Sequence, residues 1–195
     1  MMNYTLRQMM NALAIETGVF TDHYLEQTVT GITTDSRTAG KGDVFFGIPG
    51  RQFDGADFVA EVLGNGALCA FVNRDSYRPE YAAMPVIAVP DTVRALGDVA
   101  RDYRSLFTGP VAAITGSSGK TTAKEMIRTV VSSDRNVHAT AGNFNNQIGV
   151  PLTVFGLGAG HDCAVFELGM STPNEIAYLA GITRPDIGVI LNVGP

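Results

Sequence analysis

Residues 115–122, Thr-Gly-Ser-Ser-Gly-Lys-Thr-Thr, place glycines, hydroxyls and a lysine between the apolar run Val111-Ala112-Ala113-Ile114 and an amphipathic helical pattern. A strand that feeds a glycine-rich loop and then a helix N-terminus has the geometry of a phosphate cradle. Backbone N–H groups and the helix dipole point at an anion there, and glycine lets the backbone come close. The dipole contributes only about 0.3–1 kcal/mol at exposed sites. Holding a triphosphate therefore takes several amides from Thr115, Gly116, Ser117, Ser118, Gly119, Lys120, Thr121 and Thr122, plus the Lys120 ammonium. Thr121 is placed to offer its hydroxyl to Mg²⁺. The spacing is Gly-x-x-Gly-Lys-Thr; the longer Walker pattern needs a glycine where this chain has Ile114. The bland alternative is a Gly/Ser turn with an exposed lysine.

Glu167 ends a second apolar run, Cys163-Ala164-Val165-Phe166. Ligands of open α/β sheets bind outside the carboxyl ends of the strands. If the two strands are neighbours, Glu167 emerges beside the phosphate loop, where a carboxylate suits Mg²⁺ bridging phosphate oxygens. Asn143, Asn145 and Asn146 follow a further strand-like segment on the same side, and Asn192 follows the last one; a substrate-contact role and a plain turn are both open. In the first half, Thr33-Thr34-Asp35-Ser36-Arg37 is unusually polar. Arg37 fits either bidentate phosphate binding or a surface ion pair. His23, His138 and His161 are scattered and have no metal-ligand spacing.

The elements that must carry these residues are legible from periodicity. Leu6, Met9, Met10, Leu13 and Ala14 recur at helical spacing behind a Thr5/Gln8 capping box. Ile32–Arg37 and Val44–Ile48 read as extended, a short helix as Ala56–Leu63, and strands as Ala67–Val72 and Val86–Val89. Asp91 is placed to cap a helix that buries Val93, Leu96, Ala100, Tyr103 and Phe107. Then come a strand Val111–Thr115, a helix Thr121–Val131 with Ala123, Met126, Ile127, Val130 and Val131 inward, and a strand Asn136–Thr140. A helix Ile148–Phe155, a strand Cys163–Leu168, a helix started by Thr172-Pro173-Asn174-Glu175 and a strand Ile187–Val193 complete the series. All-apolar strands alternating with amphipathic helices predict a parallel sheet covered on both faces. The fold class is α/β: a small N-terminal α/β domain, 1–88, and a parallel-sheet phosphate-loop domain, 89–195.

The 195 residues are 45% hydrophobic and 17% charged, enough apolar content for packed cores and against disorder. Fourteen basic against 19 acidic residues give a net charge of −5, which argues against nucleic acid or membrane surfaces as partners. Only Lys41, Lys120 and Lys124 are lysines. Cys69 and Cys163 lie in apolar runs and read as buried thiols of a cytoplasmic protein. Neither a signal peptide nor a membrane-spanning stretch is legible.

Ala113–Thr122 resembles the ATP loop of the Mur ligases, the amide-forming enzymes of peptidoglycan precursor synthesis. Gly142-Asn143-Phe144-Asn145-Asn146-Gln147-Ile148-Gly149-Val150-Pro151 is similar to the motif of the branch that adds D-alanyl-D-alanine. So are Thr34–Arg37, Phe53-Asp54-Gly55-Ala56-Asp57-Phe58 and Phe166-Glu167-Leu168-Gly169-Met170, although position 56 is alanine where that branch often has histidine. The resemblance runs from Ile32 to Pro195. It implies that domain 1–88 receives UDP-N-acetylmuramoyl-tripeptide and that 89–195 is part of an ATP-binding domain. It also implies a further domain for the D-alanyl-D-alanine acceptor outside this chain, which alone is expected to be inactive. ATP phosphorylates a carboxylate and the acceptor amine displaces phosphate. By the same resemblance Lys120 and Glu167 are expected to take catalytic roles, Thr121 and Glu167 to hold Mg²⁺, and Asp35, Ser36, Arg37, Asn143 and Asn146 to contact substrate. Two alternatives stay open: another branch of the family, and a nucleotide-binding module without ligation chemistry.

Overall fold

A computed structural model describes residues 2–16 and 20–194. The chain divides into two compact units, one spanning Asn3–Val99 and the other running on from Ala100 and including Met2.

The first unit begins with α1 (Leu6–Ala12). Its capping box is formed: the Thr5 hydroxyl accepts the Gln8 N–H, and Gln8 Oε1 accepts the Thr5 N–H at 2.8 Å. Helix α2 (Asp22–Leu25) follows. Four parallel strands, β1 (Gly31–Thr33), β2 (Asp43–Gly47), β3 (Cys69–Asn73) and β4 (Val86–Val89), pair in sequence order. Phe46 and Phe71 stack at 4.6 Å between centroids on adjacent strands. The extended run expected through Arg37 stops at Thr33. Asp35 Oδ1 accepts the Arg37 N–H at 3.0 Å, an Asx turn that bends the chain out of the sheet. The helix expected over 56–63 is a 3-10 turn (Gly55–Phe58), capped by Asp54, that leads into α3 (Val59–Gly64). Ala56, Val59 and Val62 pack with Phe45, Ala70, Val72 and Tyr81 in the core of this unit.

Helix α4 (Thr92–Ser105) is capped as expected: Asp91 Oδ1 accepts the N–H groups of Val93 at 2.8 Å and Arg94 at 3.0 Å. The second unit then alternates β5 (Val111–Thr115), α5 (Lys120–Val131), β6 (Val137–Ala139), α6 (Gly149–Phe155), β7 (Cys163–Glu167), α7 (Glu175–Thr183) and β8 (Ile187–Ile190). Its parallel sheet has the order β6-β7-β5-β8. The chain leaves β5 toward β6 on one side and leaves β7 toward β8 on the other. Neighbouring strands whose connections diverge open a crevice at their carboxyl ends. Arg104, 7% exposed, pins this unit from within. It donates to the carbonyls of Phe107 at 2.8 Å, Thr183 at 2.7 Å and Arg184 at 3.3 Å, which satisfies the end of α7 with a cation.

Three expectations for this unit need correction. Met126 and Val130 do not face inward: they are 65% and 72% exposed, and α5 turns Lys124 to the sheet instead. The sheet is not covered on both faces throughout. β7 is buried along its length, whereas Ile187 and Ile190 of the edge strand β8 are exposed, and the strand ends at Ile190. Pro173 is not the first helical residue. Asn174 sits at φ 65°, outside the right-handed region, so α7 begins at Glu175. The Glu175 carboxylate still reaches back, accepting the N–H groups of Ser171 at 2.6 Å and Thr172 at 3.2 Å. Among the described residues no helix is long and apolar enough to cross a membrane.

Candidate functional site

The site is built at the diverging carboxyl ends of β5 and β7. Ile114 is in register with Glu167, so the glycine-rich loop leaves one strand just as the acid ends its neighbour. Thr115 belongs to the frame: its buried hydroxyl donates to the Leu168 carbonyl at 3.0 Å and ties the two strand ends together. Gly116 (φ 145°) and Gly119 (φ 79°) make the loop possible. A side chain on Gly116 would meet the Asn192 backbone at 3.2 Å, and the φ of Gly119 strains any L-residue. Gly119 is also the N-cap of α5 and offers no side chain to its first N–H groups. These groups therefore point into the loop as a ready anion site.

The loop is braced by the segment after β8. Asn192 accepts the Ser117 N–H on its carbonyl and the Ser118 N–H on Oδ1, both at 3.0 Å, and its amide donates to Ser118 Oγ at 2.8 Å. Gly194 N–H donates to Ser117 Oγ at 2.9 Å. Lys120 lies over the loop, its Nζ donating to the Gly116 carbonyl at 2.8 Å. Thr122 is exposed at the start of the helix.

Glu167 is the centre of the polar cluster and is 1% exposed. Its Oε2 accepts the Thr121 hydroxyl at 2.9 Å and its Oε1 accepts Asn145 Nδ2 at 2.8 Å. A buried carboxylate needs such donors, since an uncompensated one is strongly disfavoured. The Asn145 amide also donates to Asn143 Oδ1 at 2.7 Å. The Asn145 carbonyl accepts the Gly169 N–H at 2.7 Å, and a Cβ on Gly169 would come within 2.9 Å of that oxygen. The asparagine loop is thus fastened to the end of β7. Asn146 does something different: its Oδ1 accepts the N–H groups of Ile148 at 3.1 Å and Gly149 at 2.8 Å, which caps α6. Asn145 is therefore the member that reaches the acid. Three asparagines in so short a loop carry no periodicity that distinguishes them in sequence.

The cluster consists of hard oxygen donors. No group of three or more His, Cys, Asp and Glu side chains with metal-binding geometry exists among the described residues. A hydroxyl and one carboxylate suit an ion that keeps most of its water and shares phosphate oxygens, which is how Mg²⁺ binds.

The first unit keeps its polar turn apart from this cluster in sequence and chemistry. Arg37 pairs bidentately with Asp35, Nε to Oδ1 at 2.8 Å and an Nη to Oδ2 at 2.6 Å, and the Arg37 side chain is 85% exposed. The guanidinium holds the Asp35 carboxyl at about 2, well below its ordinary range. Ser36 lies in the same turn. The histidines are less scattered than their spacing suggests: the rings of His138 and His161 are 4.9 Å apart. His138 Nε2 donates to the Thr153 carbonyl at 2.7 Å, and burial lowers its pKa below the ordinary 6.5. Cys69 and Cys163 are unpaired and buried, and burial raises both thiols.

Comparison with known proteins covers both units. Residues 28–104 match the Mur ligase family catalytic domain, and residues 114–195 match the Mur ligase middle domain. A protein of Synechocystis sp. named UDP-N-acetylmuramoyl-tripeptide--D-alanyl-D-alanine ligase is 41% identical over 85% of this chain, and the chain spans 36% of that relative. A crystal structure of MurF from Acinetobacter baumannii superposes with a TM-score of 0.84 at 36% identity, over 98% of this chain and 41% of that one. MurF ligase from Thermotoga maritima, solved in complex with ADP, gives a TM-score of 0.77 at 35% identity, over 90% of this chain and 39% of that one.

Proposed function

The chain belongs to the Mur ligase family, and on that premise we propose that it carries the nucleotide site of an ATP-dependent ligase that joins D-alanyl-D-alanine to UDP-N-acetylmuramoyl-tripeptide. The observation that carries the reading is the meeting of Thr121 and Glu167 beside the loop that bears Lys120. The ADP bound to the Thermotoga maritima relative supports a nucleotide as the occupant.

The proposed chemistry has two steps. The γ-phosphoryl of ATP passes to the terminal carboxylate of the tripeptide, giving an acyl phosphate and ADP. The amine of D-alanyl-D-alanine then attacks the acyl carbon, and phosphate leaves as the amide bond forms and the amine loses a proton. Phosphoryl transfer asks a protein mainly for alignment and charge stabilisation. Lys120 and the first N–H groups of α5 supply positive character at the phosphates. To do so Lys120 exchanges the Gly116 carbonyl for a phosphate oxygen, and Asn192 yields the Ser118 N–H. Thr121 and Glu167 would hold Mg²⁺, which would supply positive charge to the phosphates. Asn145 keeps the Glu167 carboxylate turned toward Thr121. Asp35, Ser36 and Arg37 would contact the UDP-linked substrate, and Asn143 and Asn146 are likewise taken as substrate contacts. The free buried thiols agree with a cytoplasmic setting.

The chain spans about two fifths of its relatives, so the reaction is to be tested in a protein of the relatives' length that carries these residues. Phosphate release should require ATP, the tripeptide substrate and D-alanyl-D-alanine together. Lys120→Ala should lower the rate about 10²–10³-fold, the cost of losing a group that stabilises transition-state charge. Release that ignores the acceptor, or turnover unchanged in Lys120→Ala, contradicts the reading.

A further inference from the structure

Lys124 is 1% exposed and sits on the face of α5 turned to the sheet. A methionine would fill the same space without burying an ammonium, which is costly unless the charge is used. Its Nζ donates to the Thr140 carbonyl at 2.7 Å and lies 3.0 Å from Oε1 of Glu125, a half-exposed carboxylate also bound by Arg128. Thr140 follows β6 and is itself 2% exposed. Its N–H donates to the Val165 carbonyl at 3.1 Å, and its Oγ1 accepts the N–H of Glu167 at 2.9 Å. Helix α5 therefore reaches Glu167 by two routes. Thr121 holds the carboxylate, and Lys124 holds the residue that holds the backbone beneath it.

We propose that Lys124 is a positioning residue for Glu167: through Thr140 it fixes the end of β7 so that the carboxylate meets the cation that accompanies the nucleotide phosphates. This rests on the nucleotide reading above and adds to it a buried residue with no substrate contact. The pair Lys120 and Lys124 lies one helical turn apart on α5, so a single helix face carries one ammonium to the phosphates and one to the frame of the metal ligand.

The test is calorimetric titration of ADP into the full chain, with Mg²⁺ and with EDTA, alongside circular dichroism. The unmodified chain should bind ADP more tightly with Mg²⁺. Lys124→Met keeps the stem and removes the ammonium; it should lose about 10–100-fold of that Mg²⁺-dependent gain, as for removal of a group that orients a metal ligand. Its affinity in EDTA should stay within about twofold, because the loop that binds the phosphates is untouched. A merely structural role would lower both affinities together, or neither. A folded Lys124→Met that keeps the full Mg²⁺ gain overturns the proposal. If that variant does not fold, Thr140→Val decides, since it keeps the carbonyl that Lys124 needs and removes the hydroxyl that accepts the Glu167 N–H. Selective loss of the gain supports the relay, and an undiminished gain rejects it. If the unmodified chain binds no ADP at all, the nucleotide reading fails and this inference falls with it.

Discussion

The Thr121 hydroxyl donates to Glu167 Oε2 at 2.9 Å, joining the first turn of α5 to the end of the neighbouring strand. The contact exists because β7 is inserted next to β5 although three elements separate them in sequence. It gathers the two oxygen ligands expected of a Mg²⁺ site that phosphate completes.

Glu167→Gln should therefore cost Mg²⁺-dependent nucleotide affinity while the fold survives. The amide keeps the shape, loses the charge, and turns one hydrogen-bond acceptor into a donor that faces Thr121 or Asn145. Affinity for Mg²⁺ should fall at least about tenfold, with nucleotide binding in EDTA little changed. A Mg²⁺ titration at fixed ADP measures it. An unaltered Mg²⁺ requirement would make Glu167 a purely structural residue.

Arg104→Met should destabilise the second unit. It leaves the carbonyls of Phe107, Thr183 and Arg184 without their donor in a buried place. The expected loss is on the order of 2–4 kcal/mol in urea unfolding. Arg104→Lys should recover only part of it, because an ammonium cannot span a forked set of acceptors. A loss under about 0.5 kcal/mol, the range of ordinary surface substitutions, would refute this account of the α7 terminus.

Much of this frame was legible from sequence. The Thr5/Gln8 box, the Asp91 cap and the strand–loop–helix at 111–131 each rest on local chemistry, and each is present. The inward face of α5 was not legible. Periodicity groups residues into stripes but does not choose between adjacent stripes; the sheet does, and it takes the stripe with Ala123, Lys124, Ile127 and Val131 over Met126 and Val130. A lysine there looks like surface until the Thr140 carbonyl appears opposite it. Its spacing from Lys120 was the one available signal. Which of the three asparagines meets the acid was hidden for a different reason, because that depends on strand neighbours remote in sequence.

Stability should also depend on His138. Burial depresses its pKa below 6.5 in the folded protein, so between that depressed value and 6.5 the unfolded chain binds more protons. The stability it contributes is complete above 6.5 and is lost as pH falls through the folded pKa. Chemical denaturation between about pH 7.5 and 5 should show a midpoint that drops with acid. His138→Gln, which can still donate to the Thr153 carbonyl, should flatten that slope. An equal slope in both proteins would assign it to other groups.

Self-association should accompany the apolar surface of the second unit. Ile187 and Ile190 on the edge strand β8, with Met126 and Val130 on α5, are all more than half exposed. Unprotected edges and exposed apolar side chains favour pairing. Light scattering over a concentration series should show mass rising above that of one chain. Ile190→Lys should suppress the rise, because a charge on an edge strand opposes edge pairing. A mass that stays monomeric at every concentration would contradict the prediction.

Whether nucleotide phosphates sit on the loop from Gly116 to Thr121 is read from calorimetric titration of Mg²⁺–ATP into this chain and into its Lys120→Ala variant. Binding should saturate with a stoichiometry near one, and its affinity should be at least about tenfold weaker in Lys120→Ala, the scale of one charge-assisted hydrogen bond. Equal affinities in the two folded proteins, or no binding by the unmodified chain, would contradict it.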